Sequence, residues 1–226
     1  MHIKGSGLMI LLAVLVSNPV SGREGRIVKL PPPAYKGTVS VEEALQKRRT
    51  VRRFASRSLD LNQVSQLLWG AYGVSDPRGL RTSPSAGATY PLELYLAAGE
   101  RGVASLPPGL YRYNPQTHAL EPGAAQGDLR AAIARASLHQ SWMAEAPVMV
   151  VIAAVYQRCM ARYGNRGVQY THMEVGHAGQ NLFLQAEALG LSCGIVGAFE
   201  DQGLSQVLKL PKNHEPLLVM PVGYKF

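Results

Sequence analysis

Six basic residues lie within eleven positions of the segment KRRTVRRFASR, which spans residues 47–57 and contains no acidic residue. Arginine presents a planar fork of N–H donors that forms paired, charge-assisted hydrogen bonds with phosphate oxygens. Arg48 and Arg52 could converge on one phosphate, with the Thr50 hydroxyl as a further donor, whereas Arg48 and Arg49 could also simply complement the negative end of the first helix. Charge runs are more often solvated faces, so these residues alone leave both readings open.

Two further blocks have compositions that suit a flat ligand. TSPSAGATYP, residues 82–91, combines small hydroxyl residues with proline and glycine, which allows a close approach of the backbone. The second block runs from Tyr170 to Phe199 and contains His172 and His177. On a helix these histidines are five positions apart and point about 140° away from each other, unlike a zinc-binding HExxH pair. The sequence therefore predicts no metal site.

The elements that must position these blocks alternate irregularly between helix and strand. A helix starts at Ser40, with Glu43 completing a capping-box pattern, and a second one runs from Asp60 to a stop at Gly73. Further helices are predicted at 128–137, at 170–189, which is the longest, and at 201–210. Strands are predicted at 92–98, at 146–156 and at 215–224, with a hairpin at 109–122 and a strand-to-loop element at 193–199. This order predicts an α+β domain.

Bulk properties narrow the class of protein. The chain has 226 residues, 46% of them hydrophobic, so it can bury a substantial core. A net charge of +8 favours an anionic partner. No nucleic-acid-reading motif is present, so we expect no nucleic-acid partner. No GxGxxG follows a strand, which disfavours a Rossmann domain.

The first residues resemble an export signal. Lys4 precedes nine apolar residues, Leu8–Val16, a run too short to span a bilayer. We predict a signal peptide at 1–22, an irregular leader at 23–39 and one domain at 40–226. The expected location is periplasmic or secreted, or cytoplasmic if the segment is not a functional signal, with no stable membrane insertion.

Taken together and in this order, RRTVR, PSAGA and GIVGAF resemble the nitroreductase-like flavoprotein family, specifically its SagB-type dehydrogenase branch, over residues 41–224. The resemblance implies a central mixed or antiparallel sheet flanked by helices. It also implies a homodimer with flavin mononucleotide (FMN) at the interface. The implied activity is two-electron hydride transfer to or from a small organic substrate, with NAD(P)H as an electron donor.

The resemblance also implies roles for individual residues. The phosphate and ribityl chain would be held by Arg48, Arg49, Thr50 and Arg52. The loop that the neighbouring subunit lays against the flavin ring would be Pro84, Ser85, Ala86 and Gly87. The backbone near flavin N5 would be that of Val196, Gly197 and Ala198, and the amide of Gln140 would lie near the pyrimidine edge.

This chain departs from the family pattern in two places. Azoline oxidases of the SagB branch use a Lys-Tyr pair for proton removal, where this chain has Arg162 and Tyr163. Arginine does not deprotonate in proteins, which puts azoline oxidation in doubt and leaves Tyr163 as the candidate catalytic residue. A further basic phosphate ligand of the family is also missing, and Lys225 or Arg81 could replace it.

Two other functions stay open at this point. One is a flavin-cleaving enzyme of the same fold, which would lose bound flavin during aerobic turnover. The other is a non-catalytic exported binding protein that uses its basic surface, with affinity that falls steeply as salt is added.

Overall fold

The computed structural model describes His2 and residues 26–226. The predicted export signal therefore lies outside the described residues, apart from His2. Within the described range, the helices are α1 (Val41–Lys47), α2 (Leu61–Tyr72), α3 (Arg130–Ala136), α4 (Tyr156–Tyr163), α5 (Arg166–Ala188) and α6 (Asp201–Leu208). The strands are β1 (Val28–Lys29), β2 (Leu92–Ala98), β3 (Gly109–Asn114), β4 (Ala119–Gln126), β5 (Val148–Ala154), β6 (Ser192–Cys193) and β7 (Glu215–Gly223). No helix in this range has the length and apolar character needed to cross a bilayer.

The seven strands form one sheet in the order β1-β4-β3-β2-β5-β7-β6, and every neighbouring pair is antiparallel. Both faces of the sheet are covered by helices. Leu92, Leu94 and Leu96 of β2 pack with apolar residues of α2 and α5, while Tyr95 and Ala97 pack with those of α3 and α6. Alternate side chains of a strand point to opposite faces, so β2 is buried on both sides. The predicted α+β class is confirmed, with an antiparallel sheet.

The first two helices differ in how completely their N-terminal caps are formed. At α2 the Asp60 side chain accepts a hydrogen bond from the Gln63 N–H at 2.8 Å, and the Gln63 side chain accepts one from the Asp60 N–H at 3.1 Å. At α1 the Ser40 hydroxyl accepts from the Glu43 N–H, but the Glu43 carboxylate binds Lys47 one turn later. The capping box predicted at α1 is therefore only half formed.

Two local features differ from the sequence-based expectation. The longest helix begins at Arg166, not at Tyr170, and α4 precedes it. Gly164 separates them with φ of +54°, a conformation that glycine adopts at low cost. The helix α4 is hard to see in the sequence because it is short and mostly polar, with Cys159 as its one fully buried residue.

The segment predicted to be an irregular leader is attached to the domain. Its strand β1 pairs with β4 at one edge of the sheet. Farther along, the backbone of Ala34 exchanges two hydrogen bonds with the Gln66 side chain, at 2.8 and 3.0 Å, and the Ser65 hydroxyl donates to the Pro31 carbonyl at 2.6 Å. Residues 26–39 therefore pack along α2.

We expect Asp60→Ala to lower the free energy of unfolding by about 1 kcal/mol, because it removes the side chain that caps α2. Asn62→Ala, an exposed change in the same first turn, is the matched control and should stay within about 0.5 kcal/mol of wild type. Urea denaturation of the three proteins measures both values. Equal losses for the two variants would contradict the cap's contribution.

Candidate functional site

The arginine segment leaves α1 and runs beside β6. Thr50 forms a parallel bridge with Cys193, and the Val51 N–H donates to the Cys193 carbonyl at 3.0 Å. Further on, Phe54 bridges Lys225 in the antiparallel sense. These backbone contacts fix the position of the segment beside β6 and the last residues of the chain.

The guanidinium groups of the segment have different surroundings. Cζ of Arg48 lies 5.0 Å from the centroid of the Phe183 ring, and Cζ of Arg52 lies 5.7 Å from that of Trp142. Arg49 turns back and donates to two carbonyl oxygens at the end of α1, at 2.9 and 2.8 Å. Arg48 and Arg52 thus lie on the side of α5 and Trp142, whereas Arg49 binds the carbonyl end of its own helix.

The two remaining arginines of the segment stack on the carboxyl-terminal residues of the chain. Cζ of Arg53 lies 4.6 Å from the Phe226 ring centroid, and Cζ of Arg57 lies 3.8 Å from that of Tyr224. None of the five arginines of the segment forms an ion pair with any residue of the described range. Their positive charge is therefore not neutralised within this part of the chain.

The strand-to-loop element after α5 packs directly on the arginine segment. A Cβ added at Gly194 would lie 2.8 Å from the Trp142 ring and 2.9 Å from the Val51 carbonyl oxygen, so only glycine fits. Next to it, Val196 exchanges two backbone hydrogen bonds with Val219 of β7 at 2.9 Å each. The structure thereby brings the arginine segment together with Cys193 and Gly194 at the start of this element.

Gln140 contacts the same strand-to-loop element. Its Nε2 donates to the Ser137 carbonyl at 3.0 Å and to the Ala198 carbonyl at 3.2 Å. Both contacts use the nitrogen, which orients the amide and leaves its oxygen available as an acceptor. Gly197 and Ala198 are exposed beside it.

The loop of residues 84–87 lies elsewhere. It enters a short 3-10 helix, Ala86–Ala88, in which Gly87 has φ of +57°. The Ser85 hydroxyl accepts from the Tyr90 N–H at 2.9 Å, and Arg162 donates to the Gly87 carbonyl at 3.1 Å. These contacts hold the loop against α4.

Within one chain, the loop of residues 84–87 lies apart from the arginine segment. The Ser85 side chain of the loop lies close enough to Glu174 of α5 to lower the pKa of that carboxyl group. Arg48 instead lies over Phe183 of the same helix. Nine positions of helix separate Glu174 from Phe183, which corresponds to about 13 Å along the axis. The predicted cofactor residues of one chain therefore form two separate half-sites.

Tyr163 belongs to the loop half-site. Its ring packs edge-on against Tyr170 with centroids 5.1 Å apart, and a Cβ added at Gly87 would lie 2.5 Å from its hydroxyl. Arg162 also lies beside the Tyr163 ring, with Cζ 5.6 Å from the centroid. Any ligand that Tyr163 contacts would therefore lie at the 84–87 loop and not at the arginine segment of the same chain.

The two basic residues considered as substitutes for a missing phosphate ligand have different positions. Lys225 bridges Phe54 and is close to the arginine segment along the backbone. Arg81 lies between two aromatic rings, with Cζ 4.3 Å from the Tyr72 centroid and 4.4 Å from that of Tyr90. Of the two, Lys225 is placed next to the arginine segment.

The histidines and the acid of the THMEVGH stretch face different surroundings. The His172 ring shares a hydrogen bond of 2.6 Å with the Tyr156 hydroxyl, His177 is exposed, and Glu174 is 2% exposed. Among the residues that the structure describes, no cluster of three or more His, Cys, Asp or Glu could hold a metal ion. Cys159 and Cys193 are both buried and unpaired thiols.

A buried Tyr72–Glu174 pair is the feature that sequence reasoning missed. The Tyr72 hydroxyl donates to one Glu174 oxygen, and the other carboxyl oxygen is buried with no hydrogen-bond partner in the described residues. The spacing of Glu174 from Thr171, Ala178 and Leu182 places it on the buried face of α5, and this periodicity could have revealed its burial. Its partner is 102 positions away and could not be found in the same way.

Burial governs the protonation of this pair. It raises the pKa of Glu174 above its ordinary value of 4.5, while the hydrogen bond from Tyr72 opposes that increase. Burial also raises the pKa of the Tyr72 hydroxyl, and the nearby Glu174 adds to that effect. Burial therefore shifts both groups toward their protonated forms relative to their ordinary pKa values.

A sequence model described as the nitroreductase family matches residues 45–224, and the chain belongs to that family. A nitroreductase candidate of Methanocaldococcus jannaschii is 44% identical over 83% of this chain and 92% of its own length. The microcin-processing protein McbC of Escherichia coli is 25% identical over 73% of this chain and 62% of its own.

Solved structures agree with this assignment. A nitroreductase candidate from Ralstonia eutropha superposes with a TM-score of 0.75, at 27% identity, over 94% of this chain and 95% of that one. The expected membership of the nitroreductase family and its fold are thus confirmed. The family places the chain among flavin-dependent oxidoreductases.

We expect Glu174→Gln to remove one source of pH dependence while keeping an oxygen acceptor for Tyr72. Because the pKa of Glu174 is raised on folding, the folded chain retains a proton that the unfolded chain releases. Wild-type stability should therefore fall as the pH rises from about 4.5 toward the raised value. The free energy of unfolding of the variant minus that of wild type should increase over the same interval, measured by urea denaturation across pH.

Tyr72→Phe is the companion variant. It removes the hydrogen bond that lowers the pKa of Glu174, so the loss of stability should extend to higher pH than in wild type. Parallel stability curves for wild type and Glu174→Gln would contradict the proposed burial of a protonated carboxyl group.

Proposed function

We propose that this protein is an FMN-dependent oxidoreductase of the SagB type, which carries out two-electron transfer to or from a small organic substrate. The observation that carries the proposal is the set of five arginines in the segment, none of which forms an ion pair with a carboxylate of the described residues. Its side chains lie beside the glycine-containing element 193–198, where the backbone approaches closely. A phosphate next to this element would supply the missing negative charge.

The residues present fit the phosphate and ribityl end of such a cofactor. Arg48 and Arg52 project from one backbone segment that is pinned to Cys193, so their spacing is fixed before a ligand arrives. Preorganised guanidinium groups lose little further freedom on binding an oxyanion. Thr50, between them, offers a hydroxyl donor, and Arg49 contributes positive charge from the end of α1.

The residues near the proposed ring site fit as hydrogen-bonding groups. Gly197 is exposed, and a Cβ added there would meet only the Leu218 side chain, at 3.8 Å. The backbone of Val196, Gly197 and Ala198 can therefore approach a flat ring from one side. The Gln140 oxygen, oriented by the two bonds of its amide nitrogen, is an acceptor for a ring N–H. FMN, when bound, supplies hydride transfer at its N5 atom.

The second half-site is proposed to come from another copy of the chain. Residues 84–87 lie away from the arginines of their own chain, so a homodimer in which each loop covers the partner's crevice would complete two sites. In that arrangement Tyr163, which contacts the same loop, is the candidate proton donor to the substrate. NAD(P)H is the proposed electron donor.

The SagB assignment rests on the ordered motifs and on the similarity to the microcin-processing protein McbC. Arg162 stands where azoline oxidases of that branch carry lysine, and arginine cannot accept a proton at neutral pH. Proton removal from an azoline would therefore lack its base. We propose a dehydrogenase or reductase of another small substrate.

We expect purified protein reconstituted with FMN to be yellow, and Arg52→Gln to weaken FMN binding by about tenfold or more. Loss of a charge-assisted contact with phosphate removes about 1.5–3 kcal/mol of binding free energy. Arg57→Gln is the matched control, since Arg57 stacks on Tyr224 and should change affinity by less than about threefold. Flavin absorbance and fluorescence titration measure all three proteins. A protein that takes up no FMN would overturn the proposal.

We expect a mixed dimer to regain one intact site when the two half-sites are disabled in different subunits. Arg52→Gln disables the phosphate half, and Gly87→Val disables the loop half, because a Cβ at Gly87 would meet the Tyr163 hydroxyl at 2.5 Å. Refolding the two variants together should give about a quarter of wild-type flavin binding. Light scattering should show a dimer, whereas a monomer that binds FMN fully would contradict the shared site.

A further inference from the structure

A second cluster of arginines lies at a cleft behind the 84–87 loop. The paired register of β2 and β3 ends at Tyr95 and Arg112, although β2 begins at Leu92 and β3 continues to Asn114. The two strands therefore separate at this end of the sheet. A cleft of about 330 Å³ opens there, lined by three arginines, Arg81, Arg112 and Arg158.

The Arg81 guanidinium is held in place by aromatic rings rather than by acids. It lies over Tyr72 and Tyr90, which contact it through their ring faces. Such stacking uses the faces of the planar group and leaves its N–H edge free to donate. Its Nε is buried and has no hydrogen-bond partner among the described residues. An unpaired buried donor is costly, so this edge is suited to an acceptor from a ligand.

The acids at the cleft are already engaged by the other two arginines. Glu93 binds Arg158 at 2.5 Å and lies 3.8 Å from Arg112, and Glu121 lies 3.3 Å from the Arg112 Nε. That Nε nevertheless makes no hydrogen bond to a residue of the described range. Arg81 forms no ion pair within residues 26–226. Among the residues that line the cleft, three are arginines and one, Glu93, is an acid.

We propose that this cleft binds a small oxyanion, the carboxylate or phosphate group of a small molecule, with Arg81 and Arg112 as its principal donors. Guanidinium forks match both kinds of group in geometry and charge. The volume lies at the lower end of the range for small-molecule sites. Leu92, Leu94 and Tyr113 provide apolar wall for the remainder of a small organic anion.

This oxyanion cleft is separate from the proposed flavin-phosphate site. Arg81 is stacked on Tyr72, which binds Glu174 at the loop end of α5, whereas Arg48 lies over Phe183 farther along that helix. Saturating the protein with FMN would therefore fill one site and leave the other open.

The test is calorimetric titration of the full chain, saturated with FMN, with inorganic phosphate in one arm and acetate in the other. We expect saturable binding of at least one anion, and the tighter of the two identifies the phosphate or the carboxylate as the source. Arg81→Met, which keeps an apolar stem between the two rings, should weaken that binding by about tenfold or more. Arg78→Gln removes the same charge from an exposed position in the same loop and should change it by less than about twofold.

A second variant and a crystal soak check the calorimetric result independently. If circular dichroism shows that Arg81→Met is unfolded, Arg112→Gln serves as the second variant with the same expected loss. Crystals soaked in selenate should show a selenium anomalous peak within hydrogen-bonding distance of Arg81. No saturable binding, equal losses in Arg81→Met and Arg78→Gln, or a peak at Arg48 and Arg52 alone would overturn the proposal. Flavin absorbance shows independently whether the protein has taken up FMN. If it has not, the comparison of Arg81→Met with Arg78→Gln remains valid.

Discussion

The pairing of the Thr50–Val51 backbone with Cys193 is the contact on which the proposed cofactor pocket depends. It places a segment with five arginines against the end of the sheet, where no carboxylate of the described residues reaches them. Backbone hydrogen bonds can hold such a segment without neutralising its positive charge, and four of its guanidinium groups lie over aromatic rings. The positive charge is therefore retained at a fixed position, as an anion site requires.

The same constraint is the reason for proposing a pocket that is shared between two chains. Helix α5 contacts Arg48 through Phe183 and lies near the 84–87 loop at Glu174, about 13 Å farther along its axis. In the proposed dimer, a second chain placed in the opposite sense lays one half-site on the other. Symmetric contacts of this kind are the commonest form of protein assembly, and in the proposed dimer two copies would complete two equal sites.

Local patterns predicted those parts of the fold whose causes are local. The continuous apolar run of β5 and the Asp60 cap of α2 appear in the sequence because strand burial and helix capping depend on nearby residues. The arginine block and residues 193–198 could be placed in one pocket only through the family resemblance. The Tyr72–Glu174 pair and the stacking of Arg81 could not be predicted, since each depends on partners that the fold brings together from different elements.

The loop of residues 84–87 lies next to the buried acid Glu174 and to Tyr90, which contacts Arg81 of the oxyanion cleft. In the proposed dimer the same loop also lies over the arginine segment of the other chain. The Ser85 hydroxyl accepts from the backbone N–H of Tyr90, and the Tyr90 ring stacks on Arg81, so one residue connects the loop to an arginine of the oxyanion cleft. Glu174 feels the charge of Arg81, which lowers the pKa of this acid against the stronger effect of burial. An anion at Arg81 would offset that stabilisation of the carboxylate and favour the protonated form. In the proposed oxyanion site, occupancy of the cleft would therefore raise the pKa of Glu174, which lies beside the loop that the proposed dimer lays over the flavin.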